Sequence, residues 1–140
     1  MKYESLKLCN QLCFPLYAAS KEIIKIYKPL LDKIDLTYTQ YITMLVLWEF
    51  EEITAKELGN KLYLDSGTLT PLLKKLETKG YITRKRSSRD ERNLNVTLTK
   101  KGSALRENAV DIPTSVAKSC SQLSQEEAKQ LYDILYKLLS

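Results

Sequence analysis

Apolar residues return at spacings of three, four and seven along the start of the chain: Leu6, Cys9, Cys13, Leu16, Ile23, Tyr27 and Leu30. That is one stripe of a helix, and it predicts a long amphipathic helix from about Tyr3 to Leu31. Pro15 lacks the amide that would bond the carbonyl of Gln11, so a kink is expected just after Cys13. Pro29 is expected to loosen the last turns. Thr37 with Gln40 three residues on is a capping box, opening a second helix over about Tyr38 to Phe50. Thr54 and Glu57 repeat the signature and open a short third helix, ending near Lys61 or Leu62. Asp65 or Ser66 caps a fourth, Ser66 to about Thr78. Leu69, Leu72, Leu73 and Leu76 form its apolar face, and Gly80 lies just past its end.

The pattern then changes period. Tyr81 to Arg86 is compatible with a strand, and Asn93 to Leu98 alternates polar and apolar residues. Residues 87–92 between them are polar and read as a hairpin loop. Helix resumes from Thr99 or Lys100 to about Ala109, and Asp111-Ile112-Pro113 marks a break. Ser124 and Glu127 form another capping box before a terminal helix with Ala128, Leu131, Leu135 and Leu138 on one face. Helix, short helix, turn, helix and hairpin is a winged helix-turn-helix pattern, mainly α with a small β-hairpin wing. Residues 1–140 read as one domain. Residues 36–99 are expected to be the winged lobe, while residues 1–35 and 100–140 supply terminal helices whose apolar stripes exceed what one small lobe can cover.

Charge sharpens this reading. The net charge is +5, and residues 74–92 carry eight basic side chains against three acidic ones, which also nets +5. The rest of the chain is formally neutral, so the patch suggests a polyanion partner. The fourth helix shows Ser66, Thr68 and Thr70 near its N-terminus. Small side chains let a helix enter the major groove, and hydroxyls reach base edges or phosphates. Lys74 and Lys75 lie a turn further on, placed to neutralise backbone charge. Arg84 and Arg86 on the first wing strand extend the basic stripe. Arg89 and Arg92 at the hairpin tip are placed for an adjacent minor groove, where narrow A·T-rich sequence concentrates negative potential.

The run Leu64-Asp65-Ser66-Gly67-Thr68-Leu69-Thr70-Pro71-Leu72-Leu73-Lys74, with Asp90-Glu91-Arg92 in the wing, resembles the multiple-antibiotic-resistance regulator (MarR) family. Gln11-Leu12-Cys13-Phe14 and Leu36-Thr37-Tyr38-Thr39-Gln40-Tyr41 resemble its organic hydroperoxide resistance regulator branch and the staphylococcal-type thiol-sensing relatives. The likeness extends over about residues 4–139. It implies a homodimer whose first and last helices intertwine and whose two lobes bind a pseudo-palindromic operator in double-stranded DNA. It also implies that Asp90 supports Arg92 at the minor groove.

For the thiols, packing is the ordinary reading, since free cysteine behaves as a small buried hydrophobe. The resemblance points instead to Cys13 as a peroxide-reactive residue, with Tyr27 and Tyr38 at the positions whose phenols, from the partner subunit, donate hydrogen bonds to its sulfur. Tyr17 is a weaker third candidate. Attack on an organic hydroperoxide gives a sulfenic acid. Cys9, four residues away on the expected helix, sits too far for a disulfide unless the helix opens. Cys120 resembles the resolving position of two-cysteine members, where an intersubunit disulfide forms; otherwise a low-molecular-weight thiol caps Cys13. Pro15 stands where members carry a small or aliphatic residue. The resulting expectation is a repressor that releases its operator on oxidation of Cys13. The alternative is a MarR-type repressor of a small aromatic ligand with Cys13 as packing.

Other classes fit poorly. The chain has no His, which removes the usual catalytic base and the commonest metal ligand. It has no Gly-rich phosphate loop or paired-carboxylate motif. No enzyme, metal or cofactor is therefore expected. Three cysteines argue against a disulfide framework and for reduced thiols. With no signal peptide pattern and no apolar run long enough to span a bilayer, a cytoplasmic protein without membrane contact is expected.

Overall fold

The computed structural model describes residues 1–86 and 94–140. They form two compact units: Met1–Ile26 with Asp111–Ser140, and Tyr27–Val110. The second unit holds the end of helix α1 (Cys13–Asp32), then α2 (Tyr38–Phe50), strand β1 (Glu52–Thr54), α3 (Ala55–Leu62) and α4 (Ser66–Thr78). It ends with β2 (Ile82–Arg86), β3 (Leu94–Leu98) and α5 (Lys100–Ala109). The first unit holds the start of α1, α6 (Ile112–Ser119) and α7 (Gln125–Leu139).

Local capping chemistry sets most boundaries. The Thr37 hydroxyl accepts the Gln40 amide while the Gln40 side chain accepts the Thr37 amide, so both halves of the box are closed. Ser124 and Glu127 do the same for α7. Thr54 caps α3 by accepting the Glu57 amide, and Thr99 caps α5 by accepting that of Gly102. Each such cap contributes about 1 kcal/mol.

The three strands make an antiparallel sheet in the order β1-β3-β2, with Ile53 opposite Val96 and Arg84 opposite Val96 on the other side. Met44, Leu47, Leu58, Leu73, Leu76, Ile82 and Val96 are fully buried and form the centre of this lobe. The α3–α4 turn is tight. Tyr63 takes a left-handed conformation (φ 56°), and the Gly59 carbonyl accepts the Leu64 amide at 3.0 Å. A Cβ on Gly59 would stand 2.9 Å from the Leu64 carbonyl oxygen, so glycine allows the two helices to approach.

The N-terminal region corrects the long-helix expectation. Residues 4–6 and 8–10 form two 3-10 turns, and α1 begins only at Cys13. Asn10 Nδ2 donates to the Glu4 carbonyl at 2.7 Å, and Gln11 Nε2 to those of Ser5 and Lys7 at 2.7 and 2.9 Å. These local side-chain bonds compete with a helix. Pro15 falls in the first turn of α1, where amides have no helical partner. It therefore fits a helix start and makes no kink, and Cys9 does not share a helix with Cys13. Two further elements went unpredicted: β1, too short for alternation to show, and α6, whose Pro113 opens the helix at the expected break.

In the first unit, α6 buries Ile112 and Val116, whereas α7 buries no residue and exposes Leu131, Tyr132, Ile134, Tyr136 and Leu138. No helix among the described residues is long and apolar enough to cross a membrane.

Candidate nucleic-acid interface and thiol residues

Helix α4 divides its residues by face. Leu69, Leu72, Leu73 and Leu76 are buried, while Ser66, Thr68, Thr70, Lys74 and Lys75 are exposed. Asp65 is its N-cap. The carboxylate accepts the Thr68 amide at 2.8 Å and bonds the Thr68 hydroxyl as well, which holds its pKa below the usual value. Thr70 donates its hydroxyl proton to the Ser66 carbonyl at 2.8 Å, so towards a base edge its oxygen is left to accept. The small side chains near the helix start and the lysines beyond it are thus all accessible.

Arg84 has a different setting from the one its charge suggested. Its guanidinium lies 3.0 and 3.3 Å from one Glu77 oxygen, and its backbone amide donates to the other at 2.9 Å. The Arg84 side chain is only 19% exposed. The side-chain bond to Arg84, followed by the backbone one, holds the Glu77 carboxyl below its ordinary pKa. The pair ties α4 to strand β2, and the charge of Arg84 is matched internally. Arg86, at the end of β2, is exposed. Arg89, Asp90 and Arg92 lie outside the described residues.

Lys79, just past α4, reaches back to the start of α2. Its ammonium donates to the Asp35 carbonyl and to Gln40 Oε1. Its own carbonyl accepts Lys101 Nζ at 2.8 Å. The capped start of α2, the end of α4 and the start of α5 are thereby joined. Sequence reasoning missed this role, because a lysine inside a basic run looks solvated.

The tyrosines at the two expected positions do meet. Tyr27 and Tyr38 pack edge to face with ring centroids 5.0 Å apart, and Tyr41 joins them at 5.7 and 6.4 Å. Tyr41 is 2% exposed and stands three residues after Tyr38, a neighbouring position on α2. Burial raises the Tyr38 phenol above its ordinary pKa. Tyr41 is pushed up to about 12, chiefly by burial and then by Tyr27 and Tyr38. The unfolded chain releases that proton near 10.0, so stability is expected to be full below pH 10 and to fall as pH rises towards about 12. Melting temperatures across this range should show a flatter alkaline limb for Tyr41→Phe; an unchanged limb would count against the linkage.

All three cysteines are free thiols. Cys9 and Cys13 are exposed, and Cys120 is half-buried as the C-cap of α6. Cys13 is the first residue of α1. Tyr17 is exposed, with the Lys21 ammonium 5.2 Å from its ring centroid. Among the described residues no group of His, Cys, Asp or Glu could hold a metal ion.

A paired α3–α4 unit with a polar, cationic outer face, followed by antiparallel strands locked to it, defines a winged helix-turn-helix DNA-binding regulator. The family model for the transcriptional regulators SarA/Rot matches residues 25–109. The organic hydroperoxide resistance transcriptional regulator of Bacillus subtilis (strain 168) is 55% identical over 138 residues, covering 99% of this chain and 93% of that one. The regulator SarZ of Staphylococcus aureus is 44% identical over 140 residues, 100% of this chain and 94% of that one. Reduced AbfR bound to DNA superposes with a TM-score of 0.80 at 37% identity, over 99% of this chain and 96% of that one. AbfR of Staphylococcus epidermidis is also known in a disulfide-formed state, with a TM-score of 0.64 at 36% identity over 100% and 98%. The chain belongs to the SarA/Rot family of transcriptional regulators, among the MarR-type winged-helix proteins and close to their organic hydroperoxide resistance branch.

Proposed function

We propose that this regulator is a repressor that holds a pseudo-palindromic operator as a homodimer and releases it when an organic hydroperoxide oxidises Cys13. The observation that carries the reading is Cys13 itself: a free, exposed thiol at the first position of α1, in a chain 55% identical to an organic hydroperoxide resistance regulator. Exposure of the thiol favours chemistry over packing.

The step is a displacement. The Cys13 thiolate attacks the outer peroxide oxygen, an S–O bond forms, the O–O bond breaks, and the alkoxide takes up a proton to leave as the alcohol. Cys13 becomes a sulfenic acid. Tyr27 and Tyr38 serve, across the dimer, as the phenols that donate to the other protomer's Cys13 sulfur, and Tyr41 fixes their ring positions. Cys120 is then available as an intersubunit resolving thiol, with a low-molecular-weight thiol as the other route.

The homodimer is supported by α7, which buries nothing in the single chain, and by Phe14, Leu16, Tyr17, Ile23 and Ile24, all exposed on α1. On DNA, Ser66, Thr68 and Thr70 face base edges, Lys74, Lys75 and Arg86 contact phosphates, and Arg89 and Arg92, with Asp90 as support, reach the minor groove. Two lobes must engage half-sites about 34–36 Å apart, so a change at the dimerisation helices spoils simultaneous docking.

Operator binding before and after stoichiometric cumene hydroperoxide tests the proposal. Wild type should lose the operator, whereas Cys13→Ser should keep it. Wild type that still holds DNA after oxidant would rule out the sensing reading.

A further inference from the structure

Cys9 was set aside as a partner for Cys13 because both were expected on one helix. The structure removes that objection. Cys9 sits in the second 3-10 turn, Gln11 is extended (φ −99°, ψ 108°), and α1 starts only at Cys13. In a helix, residues four apart hold their Cβ atoms about 5–6 Å apart, and a disulfide needs about 3.5–4.5 Å. Here no helical ladder spans the pair, so closing that gap requires only the short turn and the Asn10 and Gln11 side-chain bonds to open.

The segment ahead of Cys13 is also loosely held. Residues 1–12 include no buried residue. Their bonds include the two 3-10 turns, the Asn10 and Gln11 side-chain contacts, the Cys9 thiol's 3.9 Å contact with Asn10 Oδ1 and the Lys7–Glu4 ion pair at 2.7 Å, all exposed in the single chain. Segments with few buried contacts and exposed hydrogen bonds open at low free energy. In the single chain both thiols are exposed. Closing so short a loop keeps Cys9 at high effective concentration beside any species formed on Cys13.

We propose that Cys9 is a resolving thiol for Cys13 within the same chain, acting ahead of Cys120. The inference rests on the reading of Cys13 as the peroxide-reactive residue. The Cys9 thiolate attacks the Cys13 sulfenic sulfur, the S–S bond forms, and the S–O bond breaks. The departing hydroxide takes the proton that Cys9 gave up and leaves as water. The organic hydroperoxide is the only oxidant, and the pair ends two electrons oxidised as one intrachain disulfide. That product stores the oxidised signal reversibly and diverts Cys13 from irreversible sulfinic and sulfonic acids.

Trypsin reports the chemistry directly, because it releases both thiols in one peptide, residues 8–21, and Cys120 in another, residues 119–129. The full-length protein is treated with stoichiometric cumene hydroperoxide, remaining thiols are alkylated, and peptides are weighed for wild type, Cys9→Ser and Cys120→Ser. The expected result is an unalkylated peptide 8–21, lighter by two hydrogens, in wild type and in Cys120→Ser. In Cys9→Ser that species vanishes, and Cys13 carrying two or three oxygens, or joined to Cys120, rises several-fold. A wild-type product in which peptide 8–21 is joined to peptide 119–129 with Cys9 alkylated overturns the proposal. So does over-oxidised Cys13 beside an alkylated Cys9. Cys13 alkylated in every protein defeats the sensing reading too, which separates that failure from one confined to Cys9.

Discussion

Gly102→Ala is expected to destabilise the winged lobe by about 3–5 kcal/mol. Helix propensity alone predicts the opposite sign, since alanine in place of glycine within a helix normally stabilises by about 1 kcal/mol. The contact decides. A Cβ on Gly102 would lie 2.2 Å from the Tyr81 carbonyl oxygen and 2.8 Å from Leu98 Cδ1. The first neighbour is backbone, and it accepts the Thr99 amide at 3.0 Å, so it has no rotamer with which to yield. Relief requires α5 to lift from the β2–β3 junction. That movement breaks the Gly102 amide's bond to Thr99 and the bond of 2.8 Å from Trp48 Nε1 to the Gly102 carbonyl. Against a typical domain stability of about 5–15 kcal/mol, the loss should appear as a large fall in urea midpoint. A midpoint equal to wild type would show that the seam is not close-packed.

The second large effect is on DNA. Lys74 and Lys75 are exposed on the outer face of α4. Each phosphate neutralised contributes about −0.9 to the slope of log affinity against log salt. With two lobes on one operator, Lys74→Ala/Lys75→Ala removes four contacts, and the slope should shrink by about 3–4. At about 0.1 M salt, that corresponds to about 10³–10⁴-fold weaker binding. Lys129→Ala is the control, because that lysine pairs with Asp133 at 3.1 Å on α7. Operator titrations at several salt concentrations provide the measurement, and a slope that does not move would take Lys74 and Lys75 out of the interface.

The capped helices were legible because a cap is local chemistry: Thr37 with Gln40 and Ser124 with Glu127 state their geometry within four residues. The outward face of α4 was legible for a similar reason, as leucine spacing leaves the hydroxyls and lysines exposed. What escaped was decided by competition or by distance. The turns before Cys13 replaced a helix because Asn10 and Gln11 bond backward to carbonyls four to six residues earlier. Pro113 looked like a stop and is a start. The charge of Arg84 was legible, but its pairing with Glu77, seven residues back across a turn, was not. The meeting of Tyr27 with Tyr38 and Tyr41 was not legible, because nothing in their spacing shows that α1 returns Tyr27 to the same place. Lys79 could be assigned its links only after the loop at Asp35 and the start of α5 were folded against it.

The Trp48–Gly102 bond has an optical consequence. Trp48 is the chain's single tryptophan. Its indole N–H is held by a carbonyl of α5, and its own carbonyl accepts the Arg106 guanidinium at 3.4 Å. Indole emission shifts with the polarity and hydrogen bonding around the ring. The unlabelled protein therefore carries one intrinsic fluorophore at the seam between α2 and α5. Its colour reports whether that seam is closed, and its lifetime can be followed while peroxide is added and DNA is titrated in the same cuvette.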